Sequence, residues 1–110
     1  MKTRFLIFTK IPANAMAIFP FILLRDKYQK ADKTLVNHER IHLRQQLELL
    51  IFPFYLLYVF NYLINLVRYR NHHRAYFNIV FEREAYACDQ DLDYLKKRKF
   101  FSWVKYLRRA

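Results

Sequence analysis

The chain has 110 residues, enough for one domain with a modest core, and its 55% hydrophobic and 26% charged content excludes a disordered chain. Lys and Arg outnumber Asp and Glu by 20 to 9, a net charge of +11 that favours anionic partners. There is no glycine, which excludes the Gly-rich cradles for dinucleotides and nucleoside triphosphates, and one cysteine, Cys88, which excludes an internal disulfide. Without glycine, tight two-residue hairpins are disfavoured, and helices joined by polar loops are expected.

In chain order, Lys2 and Arg4 precede an apolar patch, Phe5 to Phe8, that is too short for a signal peptide, although Ala13-Asn14-Ala15 resembles a cleavage site. Residues 5–24 are apolar without a helical period. Ile18 to Leu24, around Pro20, predicts one or two strands, or one that bends at the proline. Arg25 to Thr34 reads as a long polar loop in which Asp32 or Thr34 can cap the next helix. That helix runs through Leu35, Ile41, Leu43, Leu47 and Leu50 to a kink at Pro53, and a second helical stretch covers Phe54 to Tyr69. Arg68 to Arg74 is a polar turn holding His72 and His73, with Asn71 as a cap. Helix then resumes from about His72 to Lys97, striped by Phe77, Phe81, Ala85, Cys88, Leu92 and Leu95, which makes Cys88 a core thiol. A short amphipathic end puts Phe100, Trp103, Val104 and Leu107 on one face.

The expected fold is a single, mainly α domain with a small N-terminal strand element. Residues 1–34 hold the strand element and polar loop, 35–98 the helical core, and 99–110 a basic amphipathic helix. Leu49 to Val67 is 19 residues without a charge, at the threshold for a membrane span, but Pro53, Asn61 and Asn65 suit a protein interior better than lipid.

His38-Glu39-Arg40-Ile41-His42 reads H-E-x-x-H within the first helix. Positions i and i+4 share a helical face, so both imidazoles can reach one metal ion. Glu39, about 100° round, stands beside the ion, where it can take a proton from water there. A tetrahedral catalytic zinc wants a third protein ligand. His72, His73, Glu82, Glu84, Asp89, Asp91 and Asp93 are available. Glu82 is favoured because it shares a face with Ala85, Tyr86 and Asp89, whereas Glu84 lies about 200° away.

The pair of motifs, His38-Glu-x-x-His42 and Phe81-Glu82-Arg83-Glu84-Ala85-Tyr86, resembles gluzincin metallopeptidases. In branches that include the CAAX-prenyl-protein endopeptidases and the sensor peptidases, the third ligand sits on a glutamate helix, E-x-x-A-D or E-x-E-A-D. In size the chain is similar to minigluzincins. The stretch His42-Leu43-Arg44-Gln45-Gln46 resembles the tail that follows the sensor-peptidase motif. The resemblance implies a compact helical metallopeptidase-like domain, one Zn2+ held by His38, His42 and Glu82, Glu39 as general base, and a peptide or protein substrate. It also implies an edge strand, here within Ala17 to Leu24, that pairs with the substrate. The family's aspartate that orients the first histidine is replaced by Tyr86, and Asp89, a turn further on, is expected to be a weak substitute. No residue is assigned to an oxyanion; His72, His73, Arg74 and Tyr76 are nearby in sequence.

A straight span over 49–67 would put His42 and Glu82 on opposite sides of a bilayer, so the metal reading requires this stretch to fold back. The cations Lys96, Lys97, Arg98, Lys99, Lys105, Arg108 and Arg109, with Phe100, Phe101 and Trp103, have the make-up of an anchor on an anionic membrane surface. A cytoplasmic or membrane-associated location is expected. The rival reading is a small basic membrane-associated protein without catalysis. No signature of nucleic-acid readout accompanies the charge.

Overall fold

The computed structural model describes residues 3–107. Three short strands, β1 (Arg4–Ile7), β2 (Ala15–Ile18) and β3 (Phe21–Leu24), precede five helices: α1 (Lys33–Glu48), α2 (Phe52–Tyr69), α3 (His72–Phe77), α4 (Val80–Cys88) and α5 (Tyr94–Lys97). The mainly helical expectation with a small strand element holds. The sheet order is β1-β3-β2, with β1 parallel and β2 antiparallel to the central β3. Strand β1 has no counterpart in the sequence reading, and β2 and β3 are joined across Phe19–Pro20, whose peptide bond is cis. A proline turn of this kind needs no glycine, so a tight hairpin forms in a chain that has none.

The sheet packs on α1 through Ala15, Ile22, Leu24 and Leu43. A second cluster, Phe54, Ile79, Val80 and Phe81, joins α2 to α4 and receives Trp103 from the C-terminal segment. The polar helix α1 lies between them and carries the buried His38, Glu39 and His42.

Several boundaries differ from those expected. The polar loop contains a 3-10 turn, Lys27–Ala31, closed by a capping box between Asp26 and Gln29. Asp32 caps α1 by accepting from the Leu35 amide, and Asn71 caps α3 by accepting from Arg74. There is no kink at Pro53. The chain breaks at residues 49–51, and Pro53 sits in the first turn of α2, where its missing N–H costs nothing. Leu50 and Ile51 both have positive φ, and the Phe52 amide donates to the Leu50 carbonyl across Ile51, a γ-turn that is strained for a β-branched residue. The long helix expected over 72–97 is three helices, interrupted at Asn78–Ile79 and again after Asp89. Phe77 and Leu92 of the expected stripe are exposed, and Cys88 is half-buried with its Sγ 3.5 Å from the Tyr106 hydroxyl. The C-terminal segment is a 3-10 turn, Ser102–Tyr106, with Phe100, Val104 and Leu107 exposed. Lys2, Arg108 and Arg109 lie outside the described residues.

The fold-back is present. Helices α1 and α2 meet at 113°, and among the described residues no single helix is long and apolar enough to cross a membrane. Asn61 and Asn65 face inward. Asn61 accepts from the Val80 amide at 2.8 Å and Asn65 donates to the Ala75 carbonyl at 3.1 Å, so α2 is tied to the following helices by polar bonds.

Candidate metal centre

His38 and His42 lie one turn apart on the buried face of α1, and α4 brings Glu82 against both. Glu82 Oε1 is 3.1 Å from His38 Nε2 and 3.0 Å from His42 Nε2, with all three side chains buried. Their ligand atoms form a group able to hold a metal ion.

The remaining nitrogens fix the tautomers. His38 Nδ1 donates to Asp89 Oδ2 at 3.0 Å, and His42 Nδ1 donates to Gln45 Oε1 at 2.8 Å. The Gln45 amide is oriented in turn, because its Nε2 donates to the Phe81 carbonyl at 3.1 Å and to Glu84 Oε1 at 2.9 Å. With both Nδ1 atoms protonated, both Nε2 lone pairs point at a carboxylate oxygen. Three acceptors facing one another repel unless a proton or a cation lies between them. A tetrahedral ion with bonds of about 2.0–2.1 Å sets its ligand atoms roughly 3.3 Å apart, close to the spacing seen here. The donor set fits a divalent metal.

Asp89 corrects the expectation that it would be a weak substitute. Asp89 follows Cys88 with helical backbone angles, so it keeps the Glu82 face of α4 and reaches His38 from there. Tyr86, at the family's aspartate position, packs its ring edge-on to His38 at 4.4 Å, and its hydroxyl pairs with that of Tyr76. Asn37 holds the Asp89 corner in place by donating to the carbonyls of Asp89 and Asp91.

Glu39 is buried beside the group, and among the described residues no hydrogen bond reaches its carboxylate. Burial raises its pKa, against the opposing pull of His42 and His38. It lines two clefts. One, of about 390 Å³, is walled by Met16, His42, Phe54, Tyr55 and Glu82, and the other, of about 700 Å³, by His38, His72, His73 and Tyr76. His72 and His73 therefore stand at a cleft wall in the first turn of α3, outside the ligand group, with His72 Nδ1 2.8 Å from the Tyr62 hydroxyl. Tyr58, absent from the sequence reading, donates its hydroxyl to Glu82 Oε2 at 2.5 Å and holds that carboxylate's second oxygen.

The edges of the sheet are β1 and β2, because β3 is paired on both sides. Ala17 to Leu24 is thus not one edge strand; it is the end of β2, a turn and the central strand. Gln46 Nε2 donates to the Ala17 carbonyl and Gln46 Oε1 accepts from the Phe19 amide, which closes that end of the edge to an added strand.

Glu84 faces the opposite side of α4 from Glu82. It meets Arg98, whose side chain is fully buried and bridges Glu84 and Glu48. Arg98 is thus part of the core and not of the exposed C-terminal basic cluster. Burial alone raises the Glu84 pKa, but Arg98, with bonds from Tyr94 and Gln45, holds it below the usual carboxylate range. The sequence of contacts Arg98–Glu84–Gln45–His42 links this ion cluster to the ligand group. Arg98→Met strands two buried carboxylates and is expected to cost about 3–5 kcal/mol in urea unfolding. A loss under about 1 kcal/mol, the range of an exposed ion pair, would show that the cluster is solvated.

Comparison with protein-family models, curated proteins and solved structures found no match.

Proposed function

We propose that this chain is a zinc-dependent peptidase in which His38, His42 and Glu82 hold the ion. The observation that carries the reading is the convergence of three acceptor atoms next to an unpaired carboxylate at a cleft. The ion, when bound, supplies Lewis acidity that activates water and polarises a carbonyl. Zinc is favoured among divalent ions by two imidazoles and one carboxylate with a coordination position left open.

The chain's own residues supply the rest. Asp89 and Gln45 keep the two imidazoles in the tautomer that presents Nε2 to the centre. Tyr58 fixes the Glu82 carboxylate through Oε2, leaving Oε1 for coordination. Glu39 accepts a proton at its carboxylate from the attacking water and passes it to the departing amine, a role helped by burial, which raises its pKa above the usual carboxylate value. Phe54, Tyr55 and Ile79 give one cleft an apolar wall suited to a side chain of a peptide substrate.

The test is the metal content of the purified protein. About one zinc per chain is expected in the native protein, falling to under about a tenth in His42→Ala and in Glu82→Ala. A native chain that takes up no zinc from a zinc-supplemented buffer would end the proposal.

A further inference from the structure

Helix α2 buries Phe54 but turns most of its purely apolar side chains outward. The side it turns to the protein carries Tyr55, Tyr58, Asn61, Tyr62 and Asn65, and the side it turns to solvent carries Phe52, Leu56, Phe60, Leu63, Ile64 and Val67. Phe52 is 68% exposed, Phe60 63% and Val67 79%. At about 1.5 Å per residue the outer face is roughly 27 Å long. It continues beyond the N-terminal end of the helix. The Phe101 amide donates to Glu48 Oε2 at 2.9 Å, which ties the exposed Phe100 and Phe101 to the last residue of α1, two positions before the exposed Leu50. A soluble domain rarely leaves so long an apolar strip uncovered.

The charges around the strip identify what covers it. Arg68 and Arg70 stand exposed at one end, and Lys99 flanks the aromatic corner at the other. No acidic residue occurs between Glu48 and Glu82, and the exposed Asp91 and Asp93 are already paired with Lys97 and Lys96. A second copy of the chain laid on this face would bring cations against cations in either direction, with no acid to pair them. Anionic lipid satisfies both features, taking the apolar side chains between its acyl chains and the cations at its phosphates. We propose that α2 lies flat in the surface of an anionic bilayer, with Phe100 and Phe101 entering beside its N-terminal end. This surface keeps Lys99, Phe100 and Phe101 of the anchor expected from the sequence and adds α2, whereas Arg98 of that cationic run is buried. Because the inner side of α2 walls the cleft through Tyr55 and Tyr58, docking places that cleft about one helix diameter, roughly 10 Å, from the lipid. The docking itself does not depend on the metal.

Flotation of the full chain with phosphatidylcholine vesicles, with and without phosphatidylglycerol, tests this. Binding is expected to be at least about tenfold tighter with the anionic lipid and to weaken in high salt. Phe60→Asp and Leu63→Asp, both at exposed positions, are each expected to lower it about tenfold with helical circular dichroism unchanged. Arg68→Glu with Arg70→Glu is expected to abolish the preference for the anionic lipid. A native chain that stays unbound, or apolar-to-Asp variants that float like the native chain, would overturn the proposal. So would a lipid-free dimer that Phe60→Asp converts to monomer, or vesicle-bound chain that resists alkaline carbonate as a spanning helix does.

Discussion

Replacing Glu39 with Gln is expected to lower peptide hydrolysis by roughly 10²–10⁴-fold while bound zinc stays at its native level. The two readouts separate because Glu39 belongs to the same helix turn as the ligands but not to the ligand group. Its carboxylate has no hydrogen bond to lose among the described residues, so an isosteric amide leaves the packing of α1 intact. What the amide removes is the ability to take a proton. Burial raises the Glu39 pKa, and the two imidazoles oppose that rise. Cleavage of a generic peptide library by the native chain and the variant, alongside zinc content of both, is the measurement. Equal cleavage by the two would place the base elsewhere, with Tyr76 and His72 at the cleft wall as the next groups to replace.

The convergence of His38, His42 and Glu82 was legible from helix faces together with the resemblance of the two motifs. An i, i+4 pair must share a face, and a face argument on α4 separates Glu82 from Glu84. The caps at Asp32 and Asn71 and the inward asparagines of α2 were legible for a similar reason, since each depends on local chemistry. The parts that were not legible depend on where helices stop and on how closely they pack. Asp89 keeps the Glu82 face of α4, but its reach to His38 depends on the packing of α4 against α1, which a face argument does not supply. The break at Leu50 and Ile51 carries no glycine or proline of its own to mark it, because tertiary packing holds those residues at positive φ. Arg98 looked like one more member of a cationic run, and its burial follows from two acids, Glu48 and Glu84, contributed by different helices. Strand β1 was lost because its four residues are too few to show a period, and they fall in an apolar patch next to Lys2 and Arg4 that is weighed, and found too short, as a targeting segment.

The Gln45-Gln46 pair shows how a polar dipeptide in a helix can organise a site from both sides. Gln45 turns toward α4 and orients His42, and the next residue, about 100° round, turns toward the sheet and pins β2. Both are fully or almost fully buried, so each amide has to satisfy both its oxygen and its nitrogen, and each does. The strand that borders the cleft and the histidine in it are therefore positioned by adjacent residues of one rigid helix, which limits their relative motion.

Zinc affinity and the stability of the metal-free chain are expected to respond to pH in opposite directions. Burial alone lowers the His42 pKa, but the Glu82 carboxylate 3.0 Å from Nε2 outweighs it, and the group is raised from 6.5 to about 9. Without metal, a proton therefore holds His42 and Glu82 together. A folded pKa above the unfolded one gives stability that is fully present below pH 6.5 and is lost as pH rises through about 9. The loss in the metal-free chain is expected to reach up to about 3 kcal/mol, read from urea midpoints in the presence of a chelator. Zinc must displace that same proton, so its apparent affinity should rise about tenfold per pH unit, roughly a hundredfold between pH 7 and pH 9, and then level off. Glu82 contributes no slope in this range, because the two histidines outweigh its burial and hold it ionised far below neutrality. Zinc titrations against a competing chelator across this range would give the slope. An affinity that is flat between pH 7 and 9, or a metal-free chain that grows more stable over the same interval, would mean that His42 and Glu82 do not share the proton and that the acceptors are held together by something else.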